Sequence, residues 1–178
     1  QGYKGIKFSR GRQDVLNHLG YHLQSKLFLP YLKTSDDVLD FGCGNGSLAL
    51  ILANKVKSIE GIEVNDYPRK LAIKQGLKVY ATIDAILYKK QYDIIITNHV
   101  LEHIPDVIGT LQFLKCLIKQ DGMLIVVVPI DDFRNRRNRV WASDDPDHHL
   151  YTWTPLLFGN LLMESGLKPV HLKIISKS

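Results

Sequence analysis

Short apolar runs alternate along this chain with longer segments of helical period. The runs have the length of buried strands, about four to eight residues, and are rich in β-branched side chains. This alternation is typical of an α/β sandwich built around a parallel sheet. We predict strands over 37–41, 57–63, 77–81, 92–97, 122–129 and 167–175, with helices over 46–54, 66–75, 106–119 and 155–165.

Capping residues mark where several of these helices begin and end. Thr154 can accept hydrogen bonds from the first free N–H groups of the last helix, and Pro155 suits its first position because no N–H is needed there. Asn65 is placed to cap the second helix in the same way. Gly76 and Gly166 lie just past helix ends, where a left-handed backbone conformation is needed.

A further helix is predicted ahead of the first strand, because the apolar residues of 13–32 fall on one helical face. We expect this helix to pack on the sheet. A second possibility is that residues 3–12, which combine aromatic and basic side chains, fold over the ligand site as a lid. We therefore divide the chain into an N-terminal helical segment or lid, 1–35, and a main part, 36–178, within a single domain overall.

Length and composition fit one globular domain. The chain has 178 residues, 45% of them hydrophobic, which is enough for one core and too few for two of ordinary size. No apolar run approaches the roughly 20 residues that span a bilayer, and the basic N-terminus lacks the apolar centre of a signal peptide. We expect a cytoplasmic protein. Cys43 and Cys116, the only cysteines, indicate neither a disulfide framework nor a metal cluster.

The stretch 38–48 carries the clearest chemical signal. An apolar strand runs into three alternating glycines, Gly42, Gly44 and Gly46, and then into a helix. Glycine allows positive φ and has no Cβ, so backbone N–H groups can press against a ligand. A dinucleotide fingerprint would need its third glycine where the chain has Ser47, and no Walker loop is present. The loop therefore predicts a nucleotide cofactor other than NAD, and other than ATP held by a Walker loop.

Several motifs in the correct order resemble those of the class I S-adenosylmethionine (SAM) dependent methyltransferases, in particular the small-molecule and glycan type. The glycine loop is similar to their first motif, and Glu63 closes the next strand with a carboxylate, as in that family. Asn98–Asp106 is similar to their Leu-Glu-His-x-Pro-Asp segment, Gly122–Pro129 to a later strand, and His148–Pro155 to the start of the following helix. The resemblance implies a Rossmann-like three-layer sandwich with a mostly parallel sheet. We expect six or seven strands, since the chain ends close to the sixth.

The resemblance also implies which residues hold SAM, whose product is S-adenosylhomocysteine (SAH). The glycine loop and the next helix would receive the methionine carboxylate, and Asp40 would orient the methionine amino group or only brace the loop. Glu63 would accept hydrogen bonds from both ribose hydroxyls, and Asp84 one from the adenine amino group. The full predicted set is Asp40, Gly42, Cys43, Gly44, Gly46, Glu63, Val64, Asp84 and Asn98.

Histidine is the side chain best suited to take a proton from an acceptor hydroxyl at neutral pH. His99 directly follows the fourth strand and would lie near the transferred methyl, while His149 would lie at the mouth of the cleft. Each is either a catalytic base or a structural histidine. We interpret His103 as a brace, and we predict that His148 contacts the acceptor. Trp153 either contacts the acceptor as well or is a core residue beside the helix start.

No metal site is predicted. His99 and His103 have a His-x-x-x-His spacing, but Glu102 stands between them in a Leu-Glu-His context that resembles the family motif rather than a zinc site.

A basic cluster follows the predicted strand that ends at Pro129. The net charge of the chain is +5, and four arginines fall close together at positions 134, 136, 137 and 139. The cluster is either a solvated loop or an anion clamp, since the guanidinium fork matches phosphate and carboxylate. In the second case Arg134 and Arg137 would bind an anionic acceptor.

These patterns predict a methyltransferase that transfers a methyl group from SAM to an oxygen or nitrogen atom of a small molecule or glycan, preferably an anionic one. A nucleic-acid methyltransferase is the first alternative. Amino-methylating enzymes of that class usually carry an Asn/Asp-Pro-Pro-aromatic loop where this chain has Asn98-His99-Val100-Leu101, so nucleic acid is disfavoured. A SAM-binding protein without catalysis and a dinucleotide oxidoreductase are less favoured functions. The sequence leaves the oligomeric state open.

Overall fold

Helices and strands alternate along the part of the chain that the computed structural model describes, residues 10–86, 90–130, 143 and 148–175. Short 3-10 turns lie at Leu29–Tyr31, Ala53–Lys55, Ile83–Ala85 and Leu101–His103. The remaining elements are, in chain order, α1 Arg10–Phe28, β1 Asp37–Phe41, α2 Ser47–Leu52, β2 Ser58–Ile62, α3 Asp66–Lys74, β3 Lys78–Tyr80, β4 Tyr92–Asn98, α4 Val107–Leu117, β5 Ile118–Val127 and α5 Pro155–Glu164.

The five strands are ordered β3-β2-β1-β4-β5 in one sheet. β1 pairs with β2 in parallel, with Asp37 opposite Ser58, and β2 pairs with β3 in the same sense. β4 and β5 are also parallel, with Ile95 opposite Leu124. This order is that of a doubly wound sheet, and the predicted Rossmann-like α/β class is confirmed.

The sheet has five strands in the described residues rather than the predicted six or seven. Residues 167–175, predicted as the sixth strand, form no strand. Their apolar side chains are largely in solvent, with Val170 at 88% and Ile174 at 56% exposure. An alternating pattern favours an extended backbone, but a strand also needs a neighbour that accepts its hydrogen bonds. The sequence pattern does not show whether such a neighbouring strand is present. The prediction of a strand over 167–175 was therefore wrong.

Two compact units divide the chain between Ala85 and Ile86. The first unit holds α1 to α3 and β1 to β3. Its core is formed where β1 and α2 bury their apolar side chains, with Val38, Leu39 and Leu52 fully inaccessible to solvent. A strand that reads as a continuous apolar run is expected to be buried on both faces.

The predicted N-terminal helix is confirmed as α1, which begins before residue 13 and ends at Phe28, a fully buried residue. Leu19 and Leu23 are each 55% exposed, so part of the predicted apolar stripe is in solvent. Residues 3–9 of the proposed lid lie outside the described residues. No helix in the described part of the chain combines the length and the apolar character needed to cross a bilayer.

The second unit is organised around β4, α4 and α5. Residues 94–96 of β4 are buried, and α4 and α5 contribute Leu111, Phe158 and Leu162 to one apolar cluster. β5 begins directly after α4, at Ile118, several residues before the predicted start at 122.

The predicted helix caps are confirmed. The Thr154 side chain accepts a hydrogen bond from the Leu157 N–H, and Asn65 accepts one from the Tyr67 N–H. Gly76 and Gly166 have φ angles of 93° and 74° just past their helices. These interactions are local in sequence, which is why they could be predicted without the fold.

Candidate functional site

The loop that leaves β1 is left-handed at each of its three predicted glycines. The φ angles of Gly42, Gly44 and Gly46 are 80°, 55° and 81°, a region that residues with a Cβ rarely adopt. The Gly46 N–H closes the turn by donating to the Cys43 carbonyl oxygen at 2.9 Å. Gly46 is also the N-cap of α2, which begins at Ser47. The alternating glycines are therefore required by the turn itself.

The loop is crowded on one side and open on the other. A Cβ on Gly46 would lie 3.1 Å from the Cβ of Ala72, and one on Gly61 of β2 would lie 2.4 Å from Sγ of Cys43. By contrast, apart from Gly44 and its two chain neighbours, no atom of the described residues lies within 4 Å of the position that a Cβ on Gly44 would take. Gly44 is thus the place where a ligand can approach the loop backbone closely.

Glu63 joins this loop to the end of β2. Its Oε2 accepts a hydrogen bond from the Gly44 N–H at 3.0 Å, and its Oε1 accepts one from the Asn65 N–H at 2.7 Å. A carboxylate has about four lone-pair sites, so each oxygen can accept a further bond from a ligand hydroxyl. The sequence did not predict that Glu63 braces the glycine loop, and its contact with a ligand stays a prediction.

Asp40, at the end of β1, is a buried carboxyl group with an unusual pKa. Burial first, and the negative charge of Glu63 second, raise the pKa of Asp40 from 3.8 to about 7. Its Oδ2 is buried and accepts no hydrogen bond from the described residues. A group of this kind favours a cationic partner, because an adjacent positive charge stabilises the ionised form.

Cys43 is a buried thiol beside these two carboxyl groups. Burial, and then the charges of Asp40 and Glu63, raise the pKa of Cys43 to about 12. The thiol is therefore neutral at physiological pH and is not activated as a nucleophile. The side chain fills space between the loop and β2, which agrees with the prediction that it is a small buried residue.

The remaining predicted cofactor residues of the first unit lie on its surface. Val64 is 76% exposed directly after Glu63, and Asp84 is exposed on the 3-10 turn Ile83–Ala85. Sequence reasoning missed Arg69, whose Nη1 donates to the carbonyl oxygens of Glu63 and Val64 at 2.9 and 3.0 Å. Its position in the first turn of α3 was the available signal, since a long donor there can reach the preceding loop.

In the second unit, His99 follows β4 in a left-handed conformation, with φ of 55°. Asn98, the last residue of β4, is half-buried. The His99 Nδ1 lies 3.2 Å from Oε1 of Glu102, and the Glu102 side chain is fully buried whereas that of His99 is 42% exposed. When Nδ1 donates to this carboxylate, Nε2 is left as the acceptor. The sequence predicted His99 but not the buried partner that orients its ring.

The structure brings a distant segment against the turn that carries His103. The backbone N–H groups of Leu150 and Tyr151 donate to the Glu102 carbonyl oxygen at 2.8 and 3.3 Å. As a result the rings of His103 and His149 meet edge to face, with 4.9 Å between their centroids. One donor atom from each of Glu102, His103 and His149 lies within 4.8 Å of the others, so this set could hold a metal ion.

Of the other residues predicted to bind the acceptor, Trp153 lies in the described structure, whereas Arg134 and Arg137 do not. Trp153 is only 6% exposed and packs between Tyr151 and Phe158, with ring centroids 5.7 and 5.4 Å away. The structure thus places Trp153 in the core rather than on an open pocket wall. Arg134 and Arg137 lie outside the described residues.

Known methyltransferases are similar to this chain in sequence. A family model described as a methyltransferase domain matches residues 18–172. The ubiquinone biosynthesis O-methyltransferase of Actinobacillus pleuropneumoniae serotype 5b is 31% identical over an alignment of 122 residues, with a coverage of 58% of this chain and 52% of the relative. The corresponding protein of Haemophilus ducreyi is 28% identical over 124 residues. The chain spans about half the length of these curated relatives.

Solved structures show the same fold. The YcgJ protein from Bacillus subtilis has a TM-score of 0.67 at 21% identity, covering 81% of this chain and 68% of that protein. The plantazolicin methyltransferase BpumL, solved in complex with SAH, has a TM-score of 0.69 at 20% identity, covering 87% of this chain and 66% of BpumL. The family match spans the glycine loop, the strand that ends before Glu63 and the Leu-Glu-His turn, and the chain belongs to the methyltransferase-domain family, as its resemblance to the class I enzymes predicted.

Proposed function

We propose that this chain binds SAM and belongs to a methyltransferase that transfers a methyl group to an oxygen or nitrogen atom of a small molecule. The observation that carries the proposal is the open backbone at Gly44, with the Glu63 carboxylate hydrogen-bonded to its N–H and buried Asp40 nearby in sequence. A glycine loop with open space at Gly44, followed by a helix and beside a carboxylate, suits a nucleotide-type ligand that bears ribose hydroxyls.

Each described residue of the loop has a defined part in this proposal. Asp40 would face the methionine ammonium group, since none of the described residues donates a hydrogen bond to its buried Oδ2. Glu63 would accept hydrogen bonds from the ribose hydroxyls with its remaining lone pairs. Val64, Asp84 and Asn98 complete the predicted set, and their contacts stay predictions. SAM supplies a methyl group already activated by its sulfonium charge.

The acceptor must be held in line with that methyl group and kept from water. His99 is the better candidate for receiving a proton from an acceptor hydroxyl, because Glu102 holds its ring in place. His149 stays the second candidate. The relatives named O-methyltransferases favour oxygen as the acceptor atom. An anionic acceptor bound by Arg134 and Arg137, and a cytoplasmic location, stay predictions from the sequence.

Calorimetry with SAM, SAH and NAD tests the cofactor proposal directly. We expect SAM and SAH to bind and NAD not to bind. Glu63→Gln should weaken SAM binding about 10- to 100-fold, because hydrogen bonds to a charged group contribute about 1.5–3 kcal/mol. Glu164→Gln, which removes an exposed carboxylate at the end of α5, is the matched control. Tight NAD binding, or no SAM binding by a folded protein, would refute the proposal.

Turnover separates an enzyme from a SAM-binding protein. The chain would be incubated with methyl-labelled SAM and a panel of phenols, sugar phosphates and total RNA, and SAH would be quantified. SAH formed with a small molecule supports the proposal, and His99→Gln should lower this rate while leaving SAM affinity unchanged. SAH formed only with RNA would support a nucleic-acid methyltransferase instead. SAM binding without SAH from any acceptor would favour a non-catalytic role.

A further inference from the structure

We propose that Glu102, His103 and His149 form a binding site for a first-row transition-metal ion of the zinc type. One carboxylate oxygen and two imidazole nitrogens lie within 4.8 Å of one another. Two histidines and a glutamate are a donor set of zinc sites that keep a fourth position open for water or substrate. The proposal does not depend on methyl transfer or on SAM binding.

The distances are within reach of coordination. Zinc binds imidazole nitrogen at about 2.0–2.1 Å and carboxylate oxygen at about 2.0–2.2 Å, so tetrahedral donors lie about 3.3–3.5 Å apart. The donor atoms of Glu102, His103 and His149 are at most 4.8 Å apart. Each pair of donor atoms therefore needs to move closer by no more than about 1.5 Å to bind zinc. His103 and His149 are exposed, so their rings can turn toward a bound ion without disturbing the core.

The buried carboxylate gives independent support. The Glu102 side chain is fully buried, and its Oε1 is used by Nδ1 of His99 at 3.2 Å. Its Oε2 is buried and receives no hydrogen bond from the described residues. A buried carboxylate oxygen without a partner is costly, whereas coordination of a cation satisfies it. The unpartnered oxygen belongs to the same residue that supplies the carboxylate donor.

The segment that carries His149 is held firmly against the turn that carries the other two donors. The Leu150 and Tyr151 N–H groups donate to the Glu102 carbonyl oxygen, and the Tyr151 hydroxyl donates to the Pro105 carbonyl oxygen at 2.8 Å. His148 has a φ of 45°, which is unusual for a residue with a side chain. Backbone conformations of this kind persist where the surroundings fix them, often at functional sites.

The donor types determine which ion the site prefers. Imidazole nitrogen suits zinc, cobalt, nickel, copper and iron, whereas magnesium prefers oxygen ligands and retains several waters. Two of the three donors are imidazoles, so the site should select zinc or cobalt over magnesium.

Cobalt titration tests the site through its colour. Tag-free protein, treated with a chelator and kept free of SAM, would be titrated with Co²⁺ while visible absorption is recorded. We expect intense d–d bands that saturate at one equivalent and are displaced by Zn²⁺ but not by Mg²⁺. His103→Ala and His149→Ala should each weaken Co²⁺ binding at least about 100-fold, because even outer-sphere partners contribute 10- to 100-fold. His171→Ala, an exposed histidine of the same unit, should bind as the wild type.

Several results would overturn the assignment. A wild-type spectrum like that of the hydrated ion, unchanged binding by His149→Ala, or displacement by Mg²⁺ at equal concentration would each do so. Glu102 is buried, so the metal affinity of Glu102→Gln is informative only if circular dichroism shows a native fold. The test therefore depends mainly on the variants of the two exposed histidines, His103 and His149. SAM calorimetry on the wild-type protein separates the two proposals, because a wild type that binds SAM but not Co²⁺ refutes only the metal site.

Discussion

Replacing Asp40 by Asn should change how the stability of the ligand-free protein depends on pH. Burial and the nearby Glu63 charge raise the pKa of Asp40 from 3.8 to about 7 in the folded state. Between these two values the folded protein holds a proton on this group that the unfolded chain has lost. The free energy of unfolding therefore falls as the pH rises from about 4 to about 7, and the stability is fully present only below the lower value.

The size of the effect follows from the shift. A change of about three pKa units corresponds to about 4 kcal/mol at 1.36 kcal/mol per unit. Asn is neutral at every pH and nearly the same shape, so Asp40→Asn should lose this part of the pH dependence. Its buried amide can itself cost about 1–3 kcal/mol, so the comparison concerns the slope against pH and not the absolute stability.

Urea unfolding followed by circular dichroism at pH 4.5, 6 and 8 measures that slope. The wild type should lose stability across this range more steeply than Asp40→Asn does. Asp121→Asn, which removes an exposed carboxylate, is the control and should follow the wild type. Parallel curves for the wild type and Asp40→Asn would show that burial does not hold a proton on Asp40, and the reasoning would fail.

Three further predictions concern packing, capping and acceptor binding. Gly61→Ala places a Cβ 2.4 Å from Sγ of Cys43 and should lower the free energy of unfolding in urea by about 1–3 kcal/mol. Adding Cys43→Ala to Gly61→Ala should recover part of this loss, and additive effects of the two substitutions on the free energy of unfolding would contradict the clash. Thr154→Ala should lower the free energy of unfolding by about 1 kcal/mol, because α5 loses its N-cap, whereas Thr154→Ser should not. Arg134→Glu with Arg137→Glu should raise the KM for an anionic acceptor at unchanged SAM affinity, and an unchanged KM would remove the anion clamp.

Features determined by neighbouring residues were predictable. The three glycines of the loop adopt positive φ because the local turn requires it. The caps at Asn65 and Thr154 accept hydrogen bonds from the next turn of their own helices. The order of strands and helices followed from periodicity. These interactions need only a short stretch of chain, so the sequence carries them directly.

Features that depend on distant partners were not predictable. Residues 167–175 have the alternation of a strand, yet they form none in the described structure. Glu63 was expected only to face a ligand, and its contact with the Gly44 N–H appears once β1 and β2 are paired. Trp153 is buried by Tyr151 and Phe158, and its contact with an acceptor stays a prediction.

The sequence by itself determined the class of fold, the conformation of the glycine loop and the methyltransferase family. The tertiary structure alone decided which side chains meet, namely Glu102 with His99 and His149 with His103. It also decided that Asp40 Oδ2 is buried with no hydrogen-bond donor among the described residues. The physical reason is that turns and caps are fixed by local hydrogen bonds and sterics, whereas pKa values and metal-binding sets depend on burial and on residues far apart in the chain.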